Sequence, residues 1–539
     1  MTVPSEESDH ESLTSGFARA LGVPAGEEIR RYVTTGQGGL PAGATLLAWD
    51  ANSVHGYVFD TTNATCIRGA STRLREVDAT LRRGRYLELA PEQILYAGGG
   101  SGMAVLSAAN AEATEARLHE IFAEKTRIAT CTTAAIPLLQ EKEGFQGRVQ
   151  EVFRALARNR FLTGSDAEAS VPFFALRCAV CGHRAAAESV SRVAVPEGRP
   201  ECEVCRERIE TGRASRRDGN EPSDFQDLSD HSEGGFYAVV YSDGNGVGRL
   251  LGQLKSPLEY MRVSREIDRL LGTTVRDLAK RYDLTGDDEE AGEDHPRPNR
   301  GRPPGRYQLP ICGGDDVVAI LPGEVALPFA RDLVRALQAG ADASPVLGGA
   351  TLGACAGVAV SNVKFPIRHL LTEAEGLLKL AKRRVYRDNV RSSLSFSVIT
   401  DGSPRAESVT PERWTRAETE TLLSGRPYCL EELETFSRRI RVLRNALSDL
   451  GKNQLYILLR HAHAGPAQLR SHVLYQIGRR EEWRRLVQDL SGRDAGILTD
   501  PSACVEAVIP EYGGRKVFDV ADMLDVFDHW REPEEEREP

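Results

Sequence analysis

Leu309-Pro310-Ile311-Cys312-Gly313-Gly314-Asp315-Asp316-Val317-Val318-Ala319-Ile320-Leu321 is a pair of apolar runs around a tight turn that carries adjacent carboxylates. Gly313 and Gly314 permit the backbone angles and close ligand approach that a larger residue would block. A hairpin tip of this kind can hold Asp315 and Asp316 beside a nucleotide's phosphates, with a divalent cation between them. Taken alone, the same run is equally a turn with a solvated Asp pair. The surrounding chain decides between these.

Upstream, Gly235–Ser242 reads as a strand that runs into Asp243-Gly244-Asn245-Gly246, and Arg249–Arg281 is helical with an interruption near Ser256-Pro257. Downstream, Leu327–Ala339 reads as a helix, Leu352–Val360 as a strand, Pro366–Arg384 as a helix and Ser393–Ile399 as a closing strand. The same order appears earlier in the chain. Ala44–Asp60 is strand-like, Ser71–Arg82 helical, and Gln93–Ala97 and Met103–Ala108 flank Gly98-Gly99-Gly100-Ser101 as a hairpin. Ala111–Lys125 is then helical, Arg127–Pro137 a strand and Leu138–Asn159 a helix. Each copy follows the β-α-β-β-α-β order of ferredoxin-like folds, the arrangement of nucleotide-polymerising palms. The chain therefore holds an internal repeat.

The second copy supplies a third carboxylate. Asp243 ends the first strand, which in a palm lies beside the hairpin, so Asp243 can face Asp315 and Asp316. Carboxylates gathered at one point repel unless cations neutralise them, which implies Mg²⁺ or Mn²⁺. Gly244, Asn245 and Gly246 would bring backbone N–H groups to a triphosphate. Lys364 and the run Lys382-Arg383-Arg384 could neutralise a terminal phosphate, or the latter could merely complement the helix dipole. The first copy keeps Asp50 at the strand position but has Gly99, Gly100 and Ser101 where the acidic pair should stand. It is expected to lack the metal pair, and either to hold a nucleotide for the active copy or to persist as a structural remnant.

Between the copies, Cys178-x₂-Cys181 and Cys202-x₂-Cys205 have the spacing of a closed tetrahedral Zn²⁺ site with a structural role. His183 beside a knuckle reads as a surface residue, the cysteines at 66, 131, 312, 355, 429 and 504 as small core residues, and His461, His463 and His472 as surface or packing histidines. The resulting division is a short N-terminal segment (1–38), a degenerate palm (39–172), a Cys₄ insert and linker (173–232), a catalytic palm (233–404) and a helical domain (405–539). Asp283–Arg306 reads as a mobile loop and Glu532–Pro539 as a polar tail.

Composition narrows the class. At 539 residues, the chain exceeds what one core supports, and 41% hydrophobic with 27% charged residues is ordinary globular composition. A net charge of −10 leaves nucleic-acid contact to local patches. No apolar run reaches the length of a membrane span, the start is not a secretory signal, and ten cysteines, four of them with metal spacing, point to a reducing cytoplasm.

These features together resemble the large palm-domain subunit of type III CRISPR effector complexes. Asp50-Ala-Asn-Ser-Val-His-Gly-Tyr-Val-Phe leading to Arg68-Gly-Ala-Ser71, which looks like the family's RGAS turn, carries the first palm. The Cys₄ insert, Asp243 with the Gly-Gly-Asp-Asp tip, and Gly357-Val-Ala-Val, Lys364, Pro366 and Ala381-Lys382 carry the rest. The resemblance spans about residues 44–400. It implies that ATP binds at both palms and that AMP units are joined into cyclic oligoadenylate when guide RNA pairs with target RNA. Asp243, Asp315 and Asp316 would then ligate metal, Lys382 would contact triphosphate, and Ser71 and Gly99–Ser101 would line the non-catalytic nucleotide pocket. Many members begin with an HD nuclease domain, for which the residues before Ala44 are too few; Asp9-His10 reads as an isolated pair in a polar tail, so no DNase activity is expected. The alternatives are a stand-alone cyclic (di)nucleotide synthase of the GGDEF kind, for which a homodimer is one arrangement, and a non-enzymatic scaffold of an RNA-guided complex.

Overall fold

The computed structural model describes residues 5–38, 40, 43–138, 144–163, 171, 175–186, 200–215, 222, 224–230, 232, 234–285, 306–347, 349–400, 421–493 and 495–533. Most of the expected loop at Asp283–Arg306, the span 401–420 and the end of the chain beyond 533 lie outside them.

The first repeat forms strands β1 (Ala44–Ala51), β2 (Ile94–Gly98), β3 (Ser101–Ser107) and β4 (Cys131–Pro137). Their order in the sheet is β2-β3-β1-β4, with β1 antiparallel to both neighbours. This is the ferredoxin-like arrangement. The register sets Asp50 opposite Ser101 on β3 and Thr132 on β4. Inward-facing Leu46, Ala48, Met103 and Val105 form one buried core with Val149 and Val152 of the helix Phe145–Thr163. That burial, at roughly 25 cal/mol per Å², holds the sheet to its helices.

The second repeat forms β5 (Phe236–Asn245), β6 (Gln308–Gly313), β7 (Asp316–Pro322), β8 (Gly353–Asn362) and β9 (Ser393–Ile399). Further on are the short strands β10 (Thr421–Leu422), β11 (Tyr428–Cys429), β12 (Glu511–Tyr512) and β13 (Arg515–Val517). One sheet has the order β11-β9-β8-β5-β7-β6, so its β8-β5-β7-β6 part repeats the first sheet's topology. The strand β9 joins β8 in parallel, and β11 caps that edge. The fold is therefore α+β, with two ferredoxin-like sheets, a four-cysteine cluster between the repeats and a helical C-terminal region.

Backbone contacts group the chain into two compact units. One comprises Met1–Asp227, Gly246–Ala319 and Ala339–Leu352; the other comprises Leu228–Asn245, Ile320–Gln338 and Gly353–Pro539.

Several local expectations change. The residues before β1 form helices Glu6–Leu21 and Glu27–Thr35, and Asp9 is buried with Arg265 donating to it at 2.9 Å. Asp9-His10 is therefore a docked helix turn. The strand starting at Ala44 stops at Ala51, and Val54–Val58 is a short helix. Arg68-Gly69-Ala70-Ser71 lies within the helix Ala64–Arg82, which Asn63 caps by accepting from the Cys66 N–H. The run is helical and buried, where a turn was expected. Near Ser256-Pro257 the helix break is a capping box: Ser256 accepts from the Glu259 N–H, and Glu259 accepts in return. The C-terminal region adds a small sheet, β10-β13-β12, that its helical periodicity hid. Glu532 belongs to no tail: it is buried and accepts from Arg331 at 2.6 Å. Among the described residues, no helix is long and apolar enough to cross a membrane.

Candidate functional site

Asp243, Gly244 and Asn245 are the last residues of β5, still paired with Cys355, Ala354 and Gly353 of β8. The expected turn begins only at Gly246, whose φ of 88° needs a glycine. Asn245 is held by donating its side-chain amide to the Cys355 Sγ and the Arg391 carbonyl. Against β8 lies the helix Ile367–Asp388. Gly357 lets it approach so closely that a Cβ there would sit 2.1 Å from the Ala374 carbonyl oxygen. This packing delivers Lys382, whose Nζ lies 2.5 Å from Asp243 Oδ1. Lys382, Arg383 and Arg384 do not end that helix, which continues to Asp388, so the helix-dipole explanation of their charge falls away. Arg384 is buried and serves Glu432 instead. Lys364 is exposed in the turn after β8.

Asp315 and Asp316 stand where expected, at the turn between β6 and β7, both partly buried. This turn packs on the corresponding turn of the first repeat. A Cβ on Gly313 would lie 3.0 Å from the backbone of Gly99, and one on Gly99 would lie 3.1 Å from Gly313. The two hairpin tips, one acidic and one bare, therefore touch backbone to backbone. Gly99 and Gly100 have φ of 63° and 83°.

A polar cluster not legible in the sequence supports this contact. Asp78 accepts from the Gly100 N–H at 3.0 Å. Arg82 donates to the Ala97 carbonyl at 2.5 Å and to Asp268 at 3.0 Å. Tyr96 donates to the Gly98 carbonyl at 2.6 Å. Its phenol is pushed up by burial, with Asp78, Asp268 and Asp315 adding to the rise. Burial pushes the Asp78 carboxyl up to about 6, opposed by the Gly100 N–H and Arg82. Because its pKa is raised above the usual carboxylate value, Asp78 favours the folded state most at low pH. That contribution is lost as pH rises from about 4 to about 6, and amounts to roughly 3 kcal/mol. Asp78→Asn keeps an oxygen for the Gly100 N–H and removes the titration. The stability difference between variant and wild type, measured by denaturant unfolding, should therefore shift by about that amount in the variant's favour across this window. A pH-independent difference would contradict the assignment.

Ser71 is buried in the helix that carries Asp78, two turns earlier on the same face. Asp50 accepts from Arg160 at 2.5 Å, and burial raises its pKa against that opposing charge. A cleft of about 830 Å³ opens beside Gly246, lined by Arg249, Lys255 and Arg262 among apolar Leu250, Leu254 and Leu347. Its lining does not include the three carboxylates.

Cys178, Cys181, Cys202 and Cys205 place their sulfurs within 4.8 Å of one another, all buried. Zn²⁺ with Zn–S bonds of about 2.3 Å needs sulfurs about 3.8 Å apart, so the set fits that ion. The local folds are knuckles. The Val180 N–H points at Cys178 Sγ and the Cys205 N–H at Cys202 Sγ, each at 3.4 Å. His183 is not a free surface residue, since its Nε2 lies 2.7 Å from Asp60. Cys66 is the small buried residue expected, and it packs on this cluster. His461 does stack on His472, with ring centroids 4.2 Å apart, as packing histidines do.

Residues 236–391 match the family model described as Cas10/Cmr2, second palm domain. No curated protein sequence matches the chain. Among solved structures, the crystal structure of a Csm1–Csm4 cassette in complex with cA4 has a TM-score of 0.57 at 14% identity, covering 97% of this chain and 74% of that one. A Csm1 crystal structure from T. onnurineus has a TM-score of 0.54 at 14% identity, covering 91% and 70%. A Csm1–Csm4 cassette in complex with one ATP gives 0.53 at 15% identity, covering 97% and 74%. The chain carries a Cas10/Cmr2 second palm domain within a Csm1-like fold.

Proposed function

We propose that this protein is a metal-dependent nucleotidyltransferase that converts ATP into cyclic oligoadenylate within a type III CRISPR complex. The observation that carries this reading is that the second-palm match, residues 236–391, contains Asp243, Asp315, Asp316, Lys364 and Lys382 together. Asp243 lies near the end of β5, and Asp315 and Asp316 lie at the turn that leads into β7. Their donor set is all oxygen, which suits Mg²⁺ or Mn²⁺. When bound, such ions lower the pKa of an attacking ribose hydroxyl and stabilise the leaving pyrophosphate.

The chain's own residues do the rest. Asp243, Asp315 and Asp316 present the negative charge that fixes the cations. Gly244, Asn245, Gly246, Gly313 and Gly314 leave the backbone bare enough for phosphates to approach. Lys382 now neutralises Asp243 at 2.5 Å, and would turn to a triphosphate once cations take over that carboxylate. Gly99, Gly100 and Ser101, together with Ser71, would hold a second ATP as acceptor. Partners would be guide RNA, target RNA and a Csm4-like subunit, since the similar Csm1 structures are cassettes with Csm4. The Cys₄ cluster would hold structural Zn²⁺.

The test is to incubate the protein with labelled ATP or GTP and Mg²⁺ or Mn²⁺, with and without guide and target RNA, and to resolve products by mass. Cyclic oligoadenylate made only with RNA is the expected result. Product without RNA would favour a stand-alone synthase, and none from any nucleotide or RNA condition would leave a scaffold. Lys382→Ala should lower kcat/KM for ATP by about 10- to 100-fold, the scale of one lost charge-assisted contact. An unchanged value would remove Lys382 from the triphosphate site.

A further inference from the structure

Arg184 reaches the cysteine cluster with its planar fork. Its Nε donates to Cys202 Sγ at 3.5 Å and its terminal NH₂ to Cys205 Sγ at 3.7 Å. The same NH₂ also pairs with Asp60 Oδ2. Asp60 is nearly buried, and it receives Arg208 at 3.3 Å and His183 at 2.7 Å as well. Arg208 is 1% exposed, and its guanidinium lies 4.2 Å over the Tyr57 ring. Two guanidiniums around one carboxylate leave an excess positive charge in a buried place, which is costly unless another anion is near. Four thiolates around Zn²⁺ form a dianion. The excess charge and the dianion complement each other.

We propose that Arg184 and Arg208, bridged by Asp60, form the outer shell of the tetrathiolate zinc centre, with Arg184 donating directly to two of its sulfurs. Hydrogen bonds from a cation to thiolate sulfur stabilise the charged ligand and so the loaded metal. This shell also ties the metal to the first palm. The helix Glu203–Ser215 begins at the second knuckle and approaches Ala64–Arg82 closely at Gly69 and Gly212. A Cβ on Gly69 would lie 1.7 Å from the Arg208 carbonyl oxygen, and one on Gly212 would lie 2.1 Å from that of Thr65. Arg68 donates to the Gly212 carbonyl at 3.4 Å and to that of Pro222. Arg68 and Gly69 of the Arg-Gly-Ala-Ser run thus serve the seam with the metal module.

The inference rests on the zinc reading of the Cys₄ cluster, not on the nucleotidyltransferase reading. Its test uses the full chain loaded with Zn²⁺ or Co²⁺. Arg184→Gln should give up Zn²⁺ to a colorimetric chelator with an affinity lower by about 10- to 100-fold. In the cobalt form, loss of N–H···S bonds should move the sulfur-to-cobalt charge-transfer bands to lower energy, which a merely structural contact would not do. Arg184→Lys retains the charge but offers one donor nitrogen in place of the two-nitrogen fork, and should fall between the two; it carries the comparison if the Gln variant does not fold. Wild type that retains zinc while both variants match it in affinity and spectrum would overturn the outer shell alone. Wild type that binds neither metal would overturn the zinc reading along with it.

Discussion

Asp315→Ala combined with Asp316→Ala should abolish product formation, a loss of more than about 10³-fold, while the folded state melts within about 1–2 °C of wild type. Both residues are partly exposed, Asp315 in the turn and Asp316 at the first position of β7, so little packing is lost with them. Asp316 begins β7, but its strand contribution comes from the backbone, which Ala retains. The bulk of the effect therefore falls on metal binding. Asp243→Ala should differ in kind. It would also remove the Lys382–Asp243 ion pair, so a small stability loss should accompany the lost activity. Full activity in the Asp315/Asp316 double variant would remove the turn from the catalytic centre.

Removal of the metal should have the second largest effect. Structural zinc contributes on the order of 10 kcal/mol to the folding of small Cys₄ modules. Here the module is welded to the first palm by the Gly69–Arg208 contact and by ion pairs. Arg73 lies 3.2 Å from Glu207, and Arg127 lies 2.9 Å from it. Chelation, or Cys202→Ser with Cys205→Ser, should therefore release the knuckles and loosen the helix Ala64–Arg82 as well. The expected signature is a fall of roughly 10 °C or more in the first unfolding transition. Faster amide hydrogen exchange in that helix should accompany it. Because the helix carries Asp78, which holds Gly100, the hairpin tip against Gly313 should loosen too. Unchanged exchange in Ala64–Arg82 after complete metal removal would contradict the coupling.

Much of the fold was legible because both repeats announce themselves by turn chemistry. Gly98–Ser101 and Gly313–Asp316 sit between apolar runs of strand length, and both are hairpins. The Cys-x₂-Cys pairs likewise fixed their cluster from spacing alone. Tertiary contacts hid the rest. The expectation of a turn at Arg68-Gly69-Ala70-Ser71 comes only from the family resemblance. The run is helical because another helix needs the space that Gly69 leaves. Asp60, Asp78, Arg184 and Asp268 carry no local signature, since each matters only through residues distant in sequence. Asp9 gave the same difficulty: its partner Arg265 lies 256 positions away. Lys382 was visible as a charge, but its partner Asp243 emerges only when β8 and its helix are stacked.

The measurement that bears most directly on the central claim is a titration of Mn²⁺, followed by electron paramagnetic resonance, in the presence of a non-hydrolysable ATP analogue. It needs neither RNA nor turnover, so it reads the carboxylate site alone. Wild type should bind Mn²⁺ only weakly without the nucleotide and tightly with it, and the Asp315→Ala/Asp316→Ala variant should lose the nucleotide-dependent sites. Manganese binding that persists unchanged in that variant would contradict the assignment of Asp243, Asp315 and Asp316 as the metal–nucleotide centre.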